Sequence, residues 1–229
     1  MSLVCDGTSN YLINGTFPLS GPPFSYGVWA KPSQVSAFSP MFTFSAGSGT
    51  TDFWQLFQAT TTALASHRAR DTSDALATAA ALTQDVWQLI GANEVLSTSR
   101  FTYLDGTAGT ENTTDRTPDA VDGTRLGASA GTAATTATFV GKLGYPFAYN
   151  FALSDAQWLQ LAGGLPPNAL SLTGEEALVV YQPCVAAKNE SGSVLTMSDQ
   201  GTPVFDAADN PPIILVPVKI GLYRRGRAA

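Results

Sequence analysis

Histidine is nearly missing from this 229-residue chain: His67 is the only one. Cysteine is scarce too, with Cys5 and Cys184 at opposite ends and no Cys-x-x-Cys spacing. Together these shortages leave a structural zinc site almost without ligands. Charged residues make up 13%, well under the roughly 25% of an ordinary soluble domain. Hydrophobic residues reach 44%, which excludes the charge-rich, apolar-poor profile of a disordered chain. No apolar run approaches the roughly 20 residues that cross a bilayer. The opening Met1-Ser2-Leu3-Val4-Cys5-Asp6 has neither the basic stretch nor the apolar segment of a secretory signal, so synthesis in the cytoplasm is expected. In that compartment Cys5 and Cys184 read as buried apolar residues rather than a disulfide.

What charge there is lies unevenly. Lys219, Arg224, Arg225 and Arg227 hold four of the 12 basic residues, so residues 1–218 carry eight basic and 18 acidic groups, a net of −10. An acidic body repels nucleic acid and anionic membrane, and neither is expected as a partner.

Short apolar stretches broken by turn residues fill the chain. Phe24, Tyr26, Val28 and Ala30 alternate, and Pro40–Ala46, Phe53–Gln58 and Val86–Ala92 have strand length. Phe101 and Tyr103 alternate into Asp105-Gly106, a strong hairpin signal. Phe139, Leu143, Tyr145, Phe147 and Tyr149 all fall on odd positions, which predicts one shared face, with Pro146 marking an edge or bulge. Ala177–Tyr181 is a continuous apolar run, as in a strand covered on both faces. Many short strands at this spacing predict an all-β fold, a two-sheet antiparallel sandwich.

One helix stands out, at 154–162. Ser154 and Gln157 form a capping box, Leu153 and Trp158 a hydrophobic staple, Gly163 is the expected left-handed stop and Pro166 blocks continuation. The Ala-rich stretch 75–82 has helical propensity, but its lack of an apolar stripe favours strands and loops across 59–82.

The order of several short motifs resembles the laminin-G-like, concanavalin A-like jelly-roll domains. These are Val4-Cys5-Asp6-Gly7-Thr8 with Tyr11-Leu12, Phe24 to Pro32, Thr83 to Trp87, Tyr103-Leu104-Asp105-Gly106, Leu126-Gly127-Ala128, Phe139 to Leu143, Leu153 to Gly164, and Leu178 to Tyr181. The likeness covers about residues 3–185 and places a jelly-roll domain at 1–187 with a C-terminal extension at 188–229. Gln88-Leu89 stands where family members often carry a His pair, so no chemistry is carried over there. The resemblance implies a fold, not a function.

Catalytic signals are thin, and no enzyme is expected. Glu175-Glu176 are adjacent and would point to opposite faces of a strand, unlike a glycosidase carboxylate pair. Gly127-Ala128-Ser129-Ala130-Gly131 mimics a nucleophile elbow, but no histidine follows it in the chain. No cofactor is expected; the calcium candidates Asp105, Asp119 and Asp122 lack diagnostic spacing, and Asp105 fits the hairpin turn. For sugar stacking the candidates are Trp29 and Trp54, which lie out of phase with or beside the apolar faces of their strands. Trp87 and Trp158 read as structural.

Beyond the connector 188–212, Ile213-Ile214-Leu215-Val216-Pro217-Val218-Lys219-Ile220 is apolar and β-prone and runs into Arg224-Arg225. Such an arm either completes its own sheet or adds a strand to another subunit. A signal-less jelly roll with a terminal arm and no active site resembles virion proteins of tailed phages, notably capsid decoration proteins. That layout implies a virion location, with major capsid or other virion proteins as partners and self-association on the particle. The alternative reading is a carbohydrate-binding adhesion module with glycans as its partners.

Overall fold

Phe24, Tyr26, Val28 and Ala30 are all buried on one face of a single strand, as their alternation predicts. The computed structural model describes all residues except Met1, Ser36, 47–50, Thr61, 130–136, 174–176, 182–197, Gly201, Pro203 and 214–229. Its strands are β1 (Ser2–Asp6), β2 (Tyr11–Asn14), β3 (Phe24–Pro32), β4 (Ser39–Ser45) and β5 (Phe53–Gln58). There follow β6 (Leu64–Arg70), β7 (Asp74–Ala81), β8 (Gln88–Leu96), β9 (Ser99–Leu104) and β10 (Thr107–Ala108). The last are β11 (Gly123–Leu126), β12 (Val140–Tyr149), β13 (Leu178–Tyr181), β14 (Ser198–Gln200) and β15 (Val204–Asp206). They form two antiparallel sheets. Sheet A runs β10-β9-β8-β3-β12-β1-β15 with β13 also on β12, and sheet B runs β14-β2-β11-β4-β5-β6-β7.

The principal core lies between the sheets. Phe24 meets Trp54 edge-on at 5.1 Å, and Tyr26 meets Phe42 at 5.3 Å. Aromatic edge-to-face pairs of this kind add to area burial. A second core covers the outer face of sheet A, where Trp29, Leu89, Tyr103, Phe147 and Tyr149 pack under Leu153, Trp158, Leu161 and Leu170. The covering helix, α1 (Asp155–Ala162), carries the full capping box: the Ser154 hydroxyl accepts from the Gln157 amide and the Gln157 side chain accepts from the Ser154 amide. Its stop differs from expectation. Gly163 has φ −71°, and the left-handed residue is Gly164 at +92°, so the turn closes one residue later.

The odd-position face predicted for 139–149 is broken in the middle. Phe139 and Leu143 lie in the inter-sheet core, whereas Phe147 and Tyr149 lie in the outer one. A bulge against β3 between Gly144 and Phe147, with Tyr145 at φ +49°, flips the strand. Pro146 marks that bulge, as its position suggested. The 64–81 stretch forms β6 and β7, not a helix; sheet pairing overrides alanine's propensity. Asp105 and Gly106 both take positive φ, +49° and +80°, in the tight turn that joins β9 to β10.

The sandwich does not stop at residue 187. β14 pairs with β2 at the edge of sheet B, and β15 pairs with β1 in sheet A, so part of the expected connector completes both sheets. Beyond β15, Asp209 clasps the segment down: its carboxylate accepts from Lys31 (2.8 Å), Lys142 (2.7 Å) and the Trp87 indole (2.8 Å). Of the predicted arm only Ile213 is described, partly buried against the outer core; Ile214, Leu215, Val216, Val218, Arg224 and Arg225 lie outside the described residues, as does Cys184. Cys5 is buried.

Candidate functional site

The segment between β2 and β3 is rich in proline and glycine, and Pro18, Pro22 and Pro23 prevent it from joining either sheet. It folds over one end of the sandwich with Phe17 laid on Trp54 of β5, ring centroids 5.4 Å apart and planes at 20°. The segment before β11 closes the other side with Thr117, Pro118, Asp119 and Val121. Between them is a pocket of about 390 Å³, within the size range of small-ligand sites. Its apolar surface comes from Phe17, Leu19, Trp54 and Val121, and its polar groups are Ser20, Thr117 and Asp119.

Those polar groups are not consumed by the fold. Ser20, Thr117 and Asp119 are exposed, and none of their side chains makes a hydrogen bond among the described residues. The Trp54 Nε1 is buried without a hydrogen-bond partner there. A buried donor left unpaired costs about 1–3 kcal/mol. An apolar floor with a few unspent polar groups is a binding arrangement. Among the described residues that line the pocket there is no nucleophile–base pair.

Trp29 and Trp54 do not offer the open ring faces expected of them. They are 3% and 2% exposed, because α1 covers the outer face of sheet A, and because Trp54 lies in the inter-sheet core against Phe24 with Phe17 stacked on it. Nor do they come together. Trp54 walls the end pocket, whereas Trp29 lines a different hollow of about 430 Å³ with Val86, Trp87, Gln88, Asp105 and Leu159. In that second hollow the polar groups are already matched. Gln88 donates to Asp105 at 2.9 Å, and Asp105 accepts from the Leu89 amide at 2.8 Å, which locks the hairpin as its sequence suggested. Asp119 belongs to the pocket, and Asp122 lies outside it. Among the described residues no three His, Cys, Asp or Glu side chains are grouped to hold a metal.

Sequence reasoning missed a buried polar chain. The Tyr26 hydroxyl lies 2.9 Å from His67 Nδ1, His67 Nε2 lies 2.8 Å from Glu94, and Glu94 receives Arg100 at 3.0 Å. All four side chains are at 0% exposure. A carboxylate only accepts, so His67 Nε2 donates to Glu94, and Nδ1 is the ring atom that faces the Tyr26 hydroxyl. Burial first, and the Glu94 charge second, push the Tyr26 phenol well above its ordinary pKa. Arg100 spends its remaining donors on Asn112, Thr114 and Ser97. The chain pins β6 of one sheet to β3, β8 and β9 of the other. Only the scarcity of His and Glu hinted at it. The pocket residues were legible as loop residues, but their convergence from two distant segments was not.

No family model matches the chain, and no curated protein matches it by sequence. Solved structures do match. A Bacteroides ovatus protein provisionally described as a carbohydrate binding protein superposes with TM-score 0.61 at 13% identity, over 94% of this chain and 63% of that one. The native heptameric SAP-like pentraxin of Limulus polyphemus gives 0.60 at 12%, over 85% and 96%. CBM40 of the Ruminococcus gnavus IT-sialidase, bound to alpha2,3 sialyllactose, gives 0.59 at 12%, over 71% and 98%. At these identities the likeness shows the fold: a concanavalin A-like jelly-roll sandwich.

Proposed function

We propose that the protein is a non-catalytic carbohydrate-binding module that holds a neutral sugar in the pocket under Phe17 and Trp54. The observation that carries this reading is the pairing of an apolar floor, whose accessible ring is Phe17 stacked on the buried Trp54, with unspent Ser20, Thr117 and Asp119 side chains. A pyranose has apolar C–H faces that pack on such a floor, and hydroxyls that donate to a carboxylate in charge-assisted bonds. The Asp119 charge, with Asp52 beside its backbone amide at 3.5 Å, disfavours an acidic sugar at this place. The carbohydrate-binding descriptions of two of the structural neighbours support the same class.

The lattice-binding virion reading draws on an arm of which Ile213 alone is described, and no structural neighbour named above is a phage protein. The glycan reading is therefore preferred. A glycan array identifies the ligand, and calorimetry on Asp119→Ala and Thr117→Ala tests the place. Each substitution is expected to weaken binding about tenfold with unchanged thermal stability. Silence across neutral glycans, or unchanged affinity in both variants, overturns the proposal.

A further inference from the structure

The outer face of sheet B carries a second feature, chemically opposite to the end pocket. Strand register places Arg125, Thr43, Gln55 and Arg68 in a single row across β11, β4, β5 and β6, with neighbouring strands about 4.8 Å apart. The row is wired. Thr43 donates to the Ala128 carbonyl at 2.9 Å, Gln55 donates to Thr43 at 3.0 Å, and Gln55 Oε1 accepts from Arg68 Nε at 3.1 Å and Nη2 at 2.8 Å. Thr43 and Gln55 are completely buried, so this relay fixes the Arg68 fork rather than solvating it.

Three phenyl rings complete the mounting. The Arg68 guanidinium carbon lies 4.8 Å from the Phe53 ring centroid, 5.0 Å from Phe57 and 5.3 Å from Phe38. Arg70, two residues along the same face, lies 5.9 Å from Phe53. Both arginines share Asp74 as their ion-pair partner among the described residues, at 3.4 and 3.5 Å, longer than the roughly 2.7–2.9 Å of a strong charge-assisted bond. Arg70 Nε is buried with no hydrogen-bond partner among the described residues. Two oriented guanidinium groups thus face one loosely held, exposed carboxylate, leaving one positive charge in excess. Burial lowers the Arg68 pKa from its usual value, and Asp74 acts against that shift.

We propose that Arg68 and Arg70 form an anion-binding site that takes a carboxylate or sulfate group of an acidic polysaccharide. Gln55 takes the Nε–Nη2 edge of the Arg68 guanidinium, so the donors that remain for either group are at its Nη1–Nη2 end, where Asp74 at 3.4 Å is the partner among the described residues, and the phenyl collar flanks the guanidinium faces. This site is independent of the end pocket and stands if that pocket takes no sugar.

Binding of the full chain to polygalacturonate, dextran sulfate and neutral dextran, compared at low and high salt, tests it. Carboxylate and sulfate polymers separate the two sources of the anion, and retention of either at low salt supports the site. Arg70→Gln is expected to weaken that binding about tenfold. Arg68→Lys keeps the charge but loses the fork, and is expected to weaken it similarly. Asp74→Asn, which removes the competing carboxylate, should tighten binding severalfold, whereas Asp85→Asn, an equal charge change elsewhere, should leave it unchanged. Should Arg68→Lys misfold, the Asp74→Asn and Asp85→Asn comparison still decides. Equal affinities for wild type, Asp74→Asn and Asp85→Asn, or no binding to either charged polymer at low salt, overturns the proposal.

Discussion

His67 of sheet B and Glu94 of sheet A meet at 2.8 Å in the middle of the sandwich, with neither side chain exposed. Glu94 accepts simultaneously from Arg100, so one carboxylate neutralises a buried guanidinium and receives a hydrogen bond from across the core. Replacing Glu94 with Gln leaves the Arg100 charge without its counter-ion. Breaking one side of a buried pair typically costs about 3–5 kcal/mol. Urea unfolding of Glu94→Gln is expected to show a loss of that order; a loss below about 1 kcal/mol would mean Arg100 is satisfied by its carbonyl partners alone.

Asp209 supplies the pH dependence. Lys142, Lys31 and the Trp87 indole hold its carboxyl well below the ordinary range, and Lys142 does the same to Asp206. Carboxylates depressed in the folded state contribute stability that is complete above the ordinary pKa of about 4 and is lost as pH falls below it. Acid titration followed by Trp fluorescence should therefore show β15 and its clasp loosening below about pH 4. Asp209→Asn is expected to be less stable at neutral pH and to lose less on acidification. Parallel stability–pH curves for the two proteins would count against the clasp.

Gly91 on β8 touches the Trp158 ring of α1. A Cβ at this position would overlap the indole, and Trp158 is anchored by donating to Asn93 at 3.0 Å. The ring has no room to retreat, so Gly91→Ala should cost about 2–3 kcal/mol, the upper part of the overpacking range, and alter the near-ultraviolet dichroism of Trp158. A neutral substitution would show that α1 can lift from sheet A.

Truncation separates the two edge pairings from the terminal arm. A chain ending at residue 187 loses β14 and β15 and bares β2 and β1, so it should melt lower and aggregate. A chain ending at residue 213 keeps both pairings and should melt above the chain ending at 187. Equal behaviour of the two truncations would remove residues 198–206 from the fold.

Legibility followed period and distance along the chain. The alternation of Phe24, Tyr26, Val28 and Ala30, the Asp105-Gly106 turn and the Ser154 cap are local signals, and each appears in the structure where its residues put it. Trp29 and Trp54 were harder. Neither residue shows locally that α1 would cover Trp29, or that Phe24 of the opposite sheet and Phe17 would enclose Trp54. The flip within β12 has a local sign in Pro146, yet its consequence for Phe147 and Tyr149 follows only from pairing with β3. Contacts such as His67 with Glu94, or the convergence of Phe17 with Asp119, join segments that no short-range pattern connects.

The most direct test reads the Trp54 indole. The chain has four tryptophans, and their side-chain N–H groups give resolvable signals in a nitrogen–proton correlation spectrum. Trp87 and Trp158 donate to Asp209 and Asn93, whereas Trp54 Nε1, in the pocket residue that Phe17 covers, has no partner among the described residues. Titration with the best neutral oligosaccharide from an array should move the Trp54 signal saturably and leave those of Trp87 and Trp158 in place. A saturable shift of the others with Trp54 unmoved, or no shift at any sugar concentration, would contradict the account.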